Sequence, residues 1–263
     1  MEMATIRAPA VAGMFYPSDP VELDSMVRSY LRDADQDDPG PKALIAPHAG
    51  YIYSGSTAAK AYACLANVRK KIQRVLLLGP SHRVGFSGLA ASTADAFATP
   101  LGEIPVDTDS VANITSLPQV QYLDTAHAQE HSLEVQLPFL QLALDKFTLV
   151  PLVVGDTDPG DVEQVLNMLW GGPETLIVVS SDLSHYHDYR TAQRMDQSTS
   201  TAIETLHPEQ IGYEQACGRN PVTGLLVAAK THGLTANIID LCNSGDTAGS
   251  KDRVVGYGAY AFH

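Results

Sequence analysis

Three short apolar runs in this chain each break off at a turn and deliver a histidine within a few residues. Residues 43–46 (A-L-I-A) stop at Pro47, and His48 follows at once. Residues 75–78 (V-L-L-L) give way to Gly79, Pro80, Ser81 and His82. Residues 176–179 (L-I-V-V) lead through Ser180, Ser181, Asp182, Leu183 and Ser184 to His185. Proline lacks a ladder N–H and glycine permits tight turns, so runs bounded in this way end abruptly. They are continuous rather than alternating, which is the pattern of strands covered on both faces. Stretches of helical character separate them. This alternation predicts an α/β chain of three-layer α/β/α architecture around a mixed, mostly parallel sheet. Parallel strands place their carboxyl ends on one rim, where such sheets bind ligands. His48, His82 and His185 are therefore expected to share a site.

The stretches between the runs fill in the layers. Asp19 caps a helix that has Pro20 at its first position and Glu22 in a capping-box-like place. Residues 54–67 are alanine-rich and predict a helix. A polar cluster at 127–134, H-A-Q-E-H-S-L-E, leads into an apolar helix over 133–144. Further helices are expected over 159–169, 189–206, 208–217 and 221–231, and strands over 147–154, 235–241 and 253–262. The last two strands read as antiparallel neighbours. No repeat, linker or low-complexity tract interrupts the 263 residues, so the chain reads as one domain over 1–263.

The charge balance excludes some partners. With 17 Lys and Arg against 30 Asp and Glu, the net charge is -13, and such a surface repels a phosphate backbone. The only basic cluster, Arg69 to Lys71, reads as a solvated turn. Nothing in the chain approaches the length of a membrane span, and residues 1–10 carry no apolar core of a signal peptide. Cys64, Cys217 and Cys242 are sparse and form no C-x-x-C pair, which points to a reducing cytoplasm and away from a zinc knuckle. Cys64 reads as a small core residue. The expected partner is a small molecule rather than a nucleic acid or a membrane.

Imidazole suits iron, zinc and copper, and two histidines with one carboxylate form the open facial set of non-haem Fe(II) oxygenases. Asp182, Glu130, Glu134 and Asp246 are the carboxylate candidates. Each also has a bland reading as a cap or turn acid, strongest for Asp246 in its S-G-D turn. His127 and His131 are spaced i, i+4, but the H-E-x-x-H pattern is absent. His131 is expected to line the cleft of the strand-end histidines and His127 to be peripheral. Tyr51, Tyr53 and Tyr186 serve equally as cleft walls or as core aromatics. No G-x-S-x-G, Walker or G-x-G-x-x-G element occurs.

Five segments carry a resemblance. R-A-P-A-V-A-G-M-F-Y-P (7–17), A-P-H-A-G-Y-I-Y-S-G (46–55), L-G-P-S-H (78–82), E-H-S-L-E-V-Q-L-P-F (130–139) and S-S-D-L-S-H (180–185) together resemble the Memo family. That family is named for a mediator of ErbB-driven cell motility, and its prokaryotic members are called AmmeMemoRadiSam system protein B. It is similar in fold to class III extradiol dioxygenases of the LigB type. The resemblance implies His48 and His82 as metal ligands and His185 as the acid–base residue, with His131 as an orienting group. Fe(II) is the implied metal, with copper or zinc as alternatives. The third ligand departs from the animal pattern, which has a cysteine in the loop between the last two strands. The resemblance favours Asp246 there, with Cys242 or Glu134 as alternatives. It also implies a working link to a radical SAM protein and an AMMECR-type protein. Three functions follow: a dioxygenase-like redox enzyme, a zinc-dependent hydrolase, or a non-catalytic binding module using the same cleft.

Overall fold

In the computed structural model, which describes residues 4–34 and 38–263, helices pack on both sides of a nine-stranded mixed sheet. The strands are β1 (Ile6–Arg7), β2 (Ala43–Ala46), β3 (Arg74–Pro80), β4 (Leu89–Ala91), β5 (Ala96–Thr99), β6 (Gly102–Pro105), β7 (Val120–Tyr122), β8 (Thr148–Val154), β9 (Thr175–Ser180), β10 (His185–His187), β11 (Ala236–Asn243) and β12 (Val254–Phe262). The helices are α1 (Pro20–Asp33), α2 (Tyr51–Ala63), α3 (Thr108–Ile114), α4 (Asp124–Ala128), α5 (Leu137–Ala143), α6 (Pro159–Leu169), α7 (Tyr189–Glu204) and α8 (Arg219–Thr231).

The large sheet runs β10-β12-β2-β9-β3-β8-β4-β7, with β11 also on β12. Its centre, β2-β9-β3-β8, is parallel throughout. The flanks are mixed: β12 runs antiparallel to β2, β10 and β11, and β4 runs antiparallel to β8 but parallel to β7. The central parallel block holds all three histidine runs, in β2, β9 and β3, together with β8. Leu44, Leu76, Leu77, Leu78, Ile177 and Val178 are fully buried, and each such side chain contributes roughly 1.5–3 kcal/mol relative to exposure. A three-stranded sheet, β1-β5-β6, stands apart. Among the described residues no helix is long and apolar enough to cross a membrane.

Local chemistry explains where helix boundaries differ from the sequence reading. The helix expected from residue 54 already starts at Tyr51, because Gly50 ends the loop after β2 and takes the cap position. It stops at Ala63, and the chain continues in turns through 71. Within 133–144, a 3-10 turn (Glu134–Gln136) precedes α5, whose first turn holds Pro138, where a missing N–H does no harm. Only a 3-10 turn (Pro208–Gln210) forms within 208–217, since Gly212 interrupts that stretch.

The N-terminal segment is fastened across the molecule by a buried ion pair. The Arg7 guanidinium donates to the Glu134 carboxylate, to the His127 carbonyl at 3.0 and 3.1 Å and to the Glu130 carbonyl at 2.7 Å. Glu134 also accepts from the amides of Ala10 and Val11, at 2.8 and 2.9 Å, and from the Tyr16 hydroxyl at 2.6 Å. Its carboxylate is wholly buried, so every acceptor site must be used. This accounts for the R-A-P-A-V-A-G-M-F-Y segment: its arginine, two of its amides and its tyrosine all converge on one acid.

His127 lies inside this arrangement, buried, with Nε2 donating to the Ala90 carbonyl at 3.0 Å. Burial, aided by the Arg7 charge, lowers its pKa to about 4.

Two outcomes are expected. Arg7→Met leaves the Glu134 charge buried without its partner and costs roughly 3–5 kcal/mol, read as a lower urea midpoint. Since His127 titrates near 4 folded and about 6.5 unfolded, the unfolded state binds more protons between these values. Its contribution is complete above the upper value and is lost as pH falls toward the lower. Wild type should lose up to about 1.4 kcal/mol per pH unit in that window relative to His127→Gln, measured by urea unfolding at several pH values.

Candidate metal centre

His48 and His82 emerge from β2 and β3, which flank β9, so both stand on the carboxyl rim of the parallel core. The third histidine of the cluster comes from elsewhere. His131, on the turn between α4 and α5, folds over the rim, and ligand nitrogens of His48, His82 and His131 all lie within 4.8 Å of one another. The His82 and His131 rings stack with centroids 4.5 Å apart, and the His48 ring stands edge-on to both at 5.2 and 5.4 Å. Gly79 permits this closure, because a Cβ there would meet Ser132 Oγ at 2.8 Å.

Hydrogen bonds set the tautomers of two of the three rings. Ser180 at the end of β9 donates its one hydroxyl proton to the Ser132 carbonyl at 2.6 Å and accepts from Gln136 Nε2 at 2.7 Å. Its contact with His48 Nδ1, at 2.8 Å, must then be donated by the ring. The His48 lone pair is then on Nε2, which faces the Cys217 thiol. The Glu130 carboxylate, an acceptor only, lies 2.8 Å from His82 Nδ1 and takes the amide of His82 at 2.6 Å. The same acid accepts the amides of His131 and Ser132, both at 2.9 Å. His82 therefore also presents Nε2. On Glu130 the burial penalty is outweighed by the hydrogen bonds from His82 and the backbone amides, which hold it at about 2. A carboxylate gripping the far nitrogen of a ligand histidine is the usual outer support of metal sites.

Burial keeps the His48 and His131 rings uncharged, as metal binding requires. It pushes His131 down to about 4, with the neighbouring His82 adding to the effect, and His48 well below the ordinary histidine value. His131 Nδ1 is buried without a hydrogen-bond partner. Three converging imidazoles, two of them with fixed outer partners, fit a transition metal of the iron, copper or zinc kind.

The other expected residues are distributed around this group. His185, on the third run, is half-buried at the start of β10 and lies outside the cluster; burial lowers its pKa. Asp182, just after β9, accepts the His48 amide at 2.7 Å, and burial raises its carboxyl to about 7 against the pull of that bond. Glu134 is spent on Arg7 and the N-terminal segment. Asp246 also stands outside the cluster. It closes a capping box with Asn243, whose amide it accepts at 3.1 Å, and takes the Tyr189 hydroxyl at 2.5 Å. Cys242 contacts Thr57 Oγ1 at 3.1 Å. Of the tyrosines, Tyr51 is buried, with its hydroxyl on the Val135 carbonyl, whereas Tyr186 is exposed at φ +63°.

A neighbour that the sequence did not signal is Cys217, whose Sγ lies 3.3 Å from His48 Nε2. The position of Phe15 was equally unforeseen; its ring packs on His131 at 4.7 Å.

With this geometry in view, the comparisons are specific. The family described as Memo-like protein matches residues 7–261. A MEMO1 family protein of Aquifex aeolicus is 36% identical over 266 residues, covering 96% of this chain and 97% of its own length. One from Archaeoglobus fulgidus is 35% identical, covering 98% and 99%. Another from Methanopyrus kandleri is 34% identical, covering 97% and 98%.

Glu130→Gln retains the size of the side chain but replaces one acceptor oxygen by a donor. Metal affinity, measured by competition with a chromogenic chelator, should fall roughly 10–100-fold.

Proposed function

The chain belongs to the Memo family, and on that premise we propose that its histidine cluster is a mononuclear Fe(II) centre for dioxygenase-like redox chemistry on a small catecholic molecule. The observation that carries this reading is the convergence of three imidazoles, two of them with tautomers fixed by Ser180 and Glu130. When bound, the metal supplies a Lewis acid and a one-electron couple. His48, His82 and His131 would hold it. His131 takes the place expected for Asp246, whose carboxylate is engaged by Tyr189 and Asn243.

The chain's own residues account for the rest. Ser180, Gln136 and Glu130 hold two of the ligand rings in one orientation, which limits reorganisation when a substrate arrives. Phe15 covers one face of His131 and restricts water there. His185, at the rim, exchanges a proton at its ring nitrogen with a substrate hydroxyl. Asp182 holds the His48 amide and fixes the turn that presents the ring.

Metal analysis of anaerobically purified protein tests this reading. Near one iron per chain is expected in the wild type, lost in the His48→Ala, His82→Ala variant, with oxygen uptake when catechols are added. Zinc in place of iron under the same conditions would replace the redox reading by that of a metal-dependent hydrolase. No metal in either protein after reconstitution would overturn both and leave a binding module.

A further inference from the structure

We propose that the hollow between α1, α2 and α5 binds a small amphipathic anion, an apolar body carrying one carboxylate or phosphate head. The three helices pack on one another and leave a cavity of about 330 Å³, whose apolar wall includes Leu31, Tyr62 and Leu142. That volume lies at the small end of the roughly 300–1,000 Å³ of small-molecule pockets. The space exists because small residues stand where packed helices usually interdigitate larger ones. Ala63 at the end of α2, Ala66 in the turn after it and Ala143 at the end of α5 all border it. The floor is fixed. Tyr62 is buried, its ring stacks on Phe139 at 5.3 Å, and its hydroxyl donates to Gln136 Oε1 at 2.8 Å. A ligand therefore meets a preformed wall and loses little affinity to rearranging it.

The rim has the opposite character. Arg28 and Arg32 stand one turn apart on the same face of α1, and Arg69 approaches from the turn after α2. Three guanidiniums thus border one opening, in a chain with 17 basic residues and a net charge of -13. Arg28 pairs with Asp24, and Arg69 with Asp145, each at 2.8 Å. Both pairs are exposed and therefore weak, and a guanidinium has five donors, enough to take a second anion as well. Among the described residues no acid lines the hollow itself. An apolar floor under a basic rim selects a molecule with one apolar and one anionic end. An uncharged molecule of the same shape leaves the guanidiniums unused. The acidic surface as a whole disfavours anions, so uptake of such a molecule is attributable to this rim. Arg69, which in the sequence belongs to a solvated basic turn, acquires a ligand by this assignment. The hollow shares no residue with the histidine cluster and does not depend on the metal reading.

Isothermal titration of the full-length chain at low ionic strength with decanoate, decyl phosphate and decanol, each below its micelle concentration, tests the site. At least one of the two anions should bind at one per chain, and the tighter of them identifies the head group. Decanol, which lacks the charge, should bind roughly tenfold or more weakly. Affinity for the anion should fall as salt is added. The double variant Arg32→Ala, Arg69→Ala should weaken the anion by roughly tenfold or more while leaving the apolar floor in place. Ala66→Phe, which fills the hollow from its exposed edge, should abolish binding. All three positions are exposed, so an unchanged urea midpoint is expected for both variants and shows that any loss of binding is local. Failure of both anions to bind, decanol binding as tightly as they do, or anion binding unchanged in either variant would overturn the proposal.

Discussion

Two buried carboxylates, four residues apart, hold the segment that folds over the sheet's rim. Glu130 gathers the amides of His82, His131 and Ser132 together with the ring of His82. Glu134 gathers Arg7, two amides and the Tyr16 hydroxyl. Burying a charge is expensive unless every acceptor site is satisfied. Each acid therefore constrains all of its donors at once, which is a stronger constraint than apolar packing places on a surface turn. The position of His131 over the strand ends follows from this.

The parallel core was legible in the sequence because its signals are local. An apolar run, a proline or glycine stop and a histidine sit next to one another for both β2 and β3, and a continuous apolar run this short, bounded by turn residues, reads as a strand covered on both faces. The membership of the cluster was less so. His185 shares the strand-end pattern, yet the chain after β9 turns into β10 and sets it beyond the group, while Ser180 at the strand end reaches His48 instead. His131 sits in a polar stretch whose side-chain directions depend on Glu130 and Glu134 being buried, and a sequence does not announce which acids will be. Asp246 reads as turn chemistry, and in the structure its carboxylate is engaged in a capping box. Cys217 gave no signal because its partners, Asp182 and His48, come from distant parts of the chain.

Rigidity and openness divide along the same line. The buried Ser180–Gln136–His48 network and the Glu130 hub lie on the sheet side. Exposed apolar side chains include Met14, Ile52 and Tyr186, the last with its backbone in the left-handed region and its ring against Arg253. Such backbone in a non-glycine residue is uncommon and costs of order 1–3 kcal/mol.

The place of β2 in the sheet bears on how the molecule is made. The strand that presents His48 pairs on one side with β9 and on the other with β12, and both are encoded far downstream of it. During vectorial synthesis β2 leaves the ribosome with both edges unsatisfied and stays so until those partners emerge. Distant pairings of this kind are slow to close, and waiting strand edges are prone to aggregate. The strand at the heart of the site is thus an early-made, late-paired element, and nascent chains stalled before β12 would be natural clients for chaperones that shield open sheet edges.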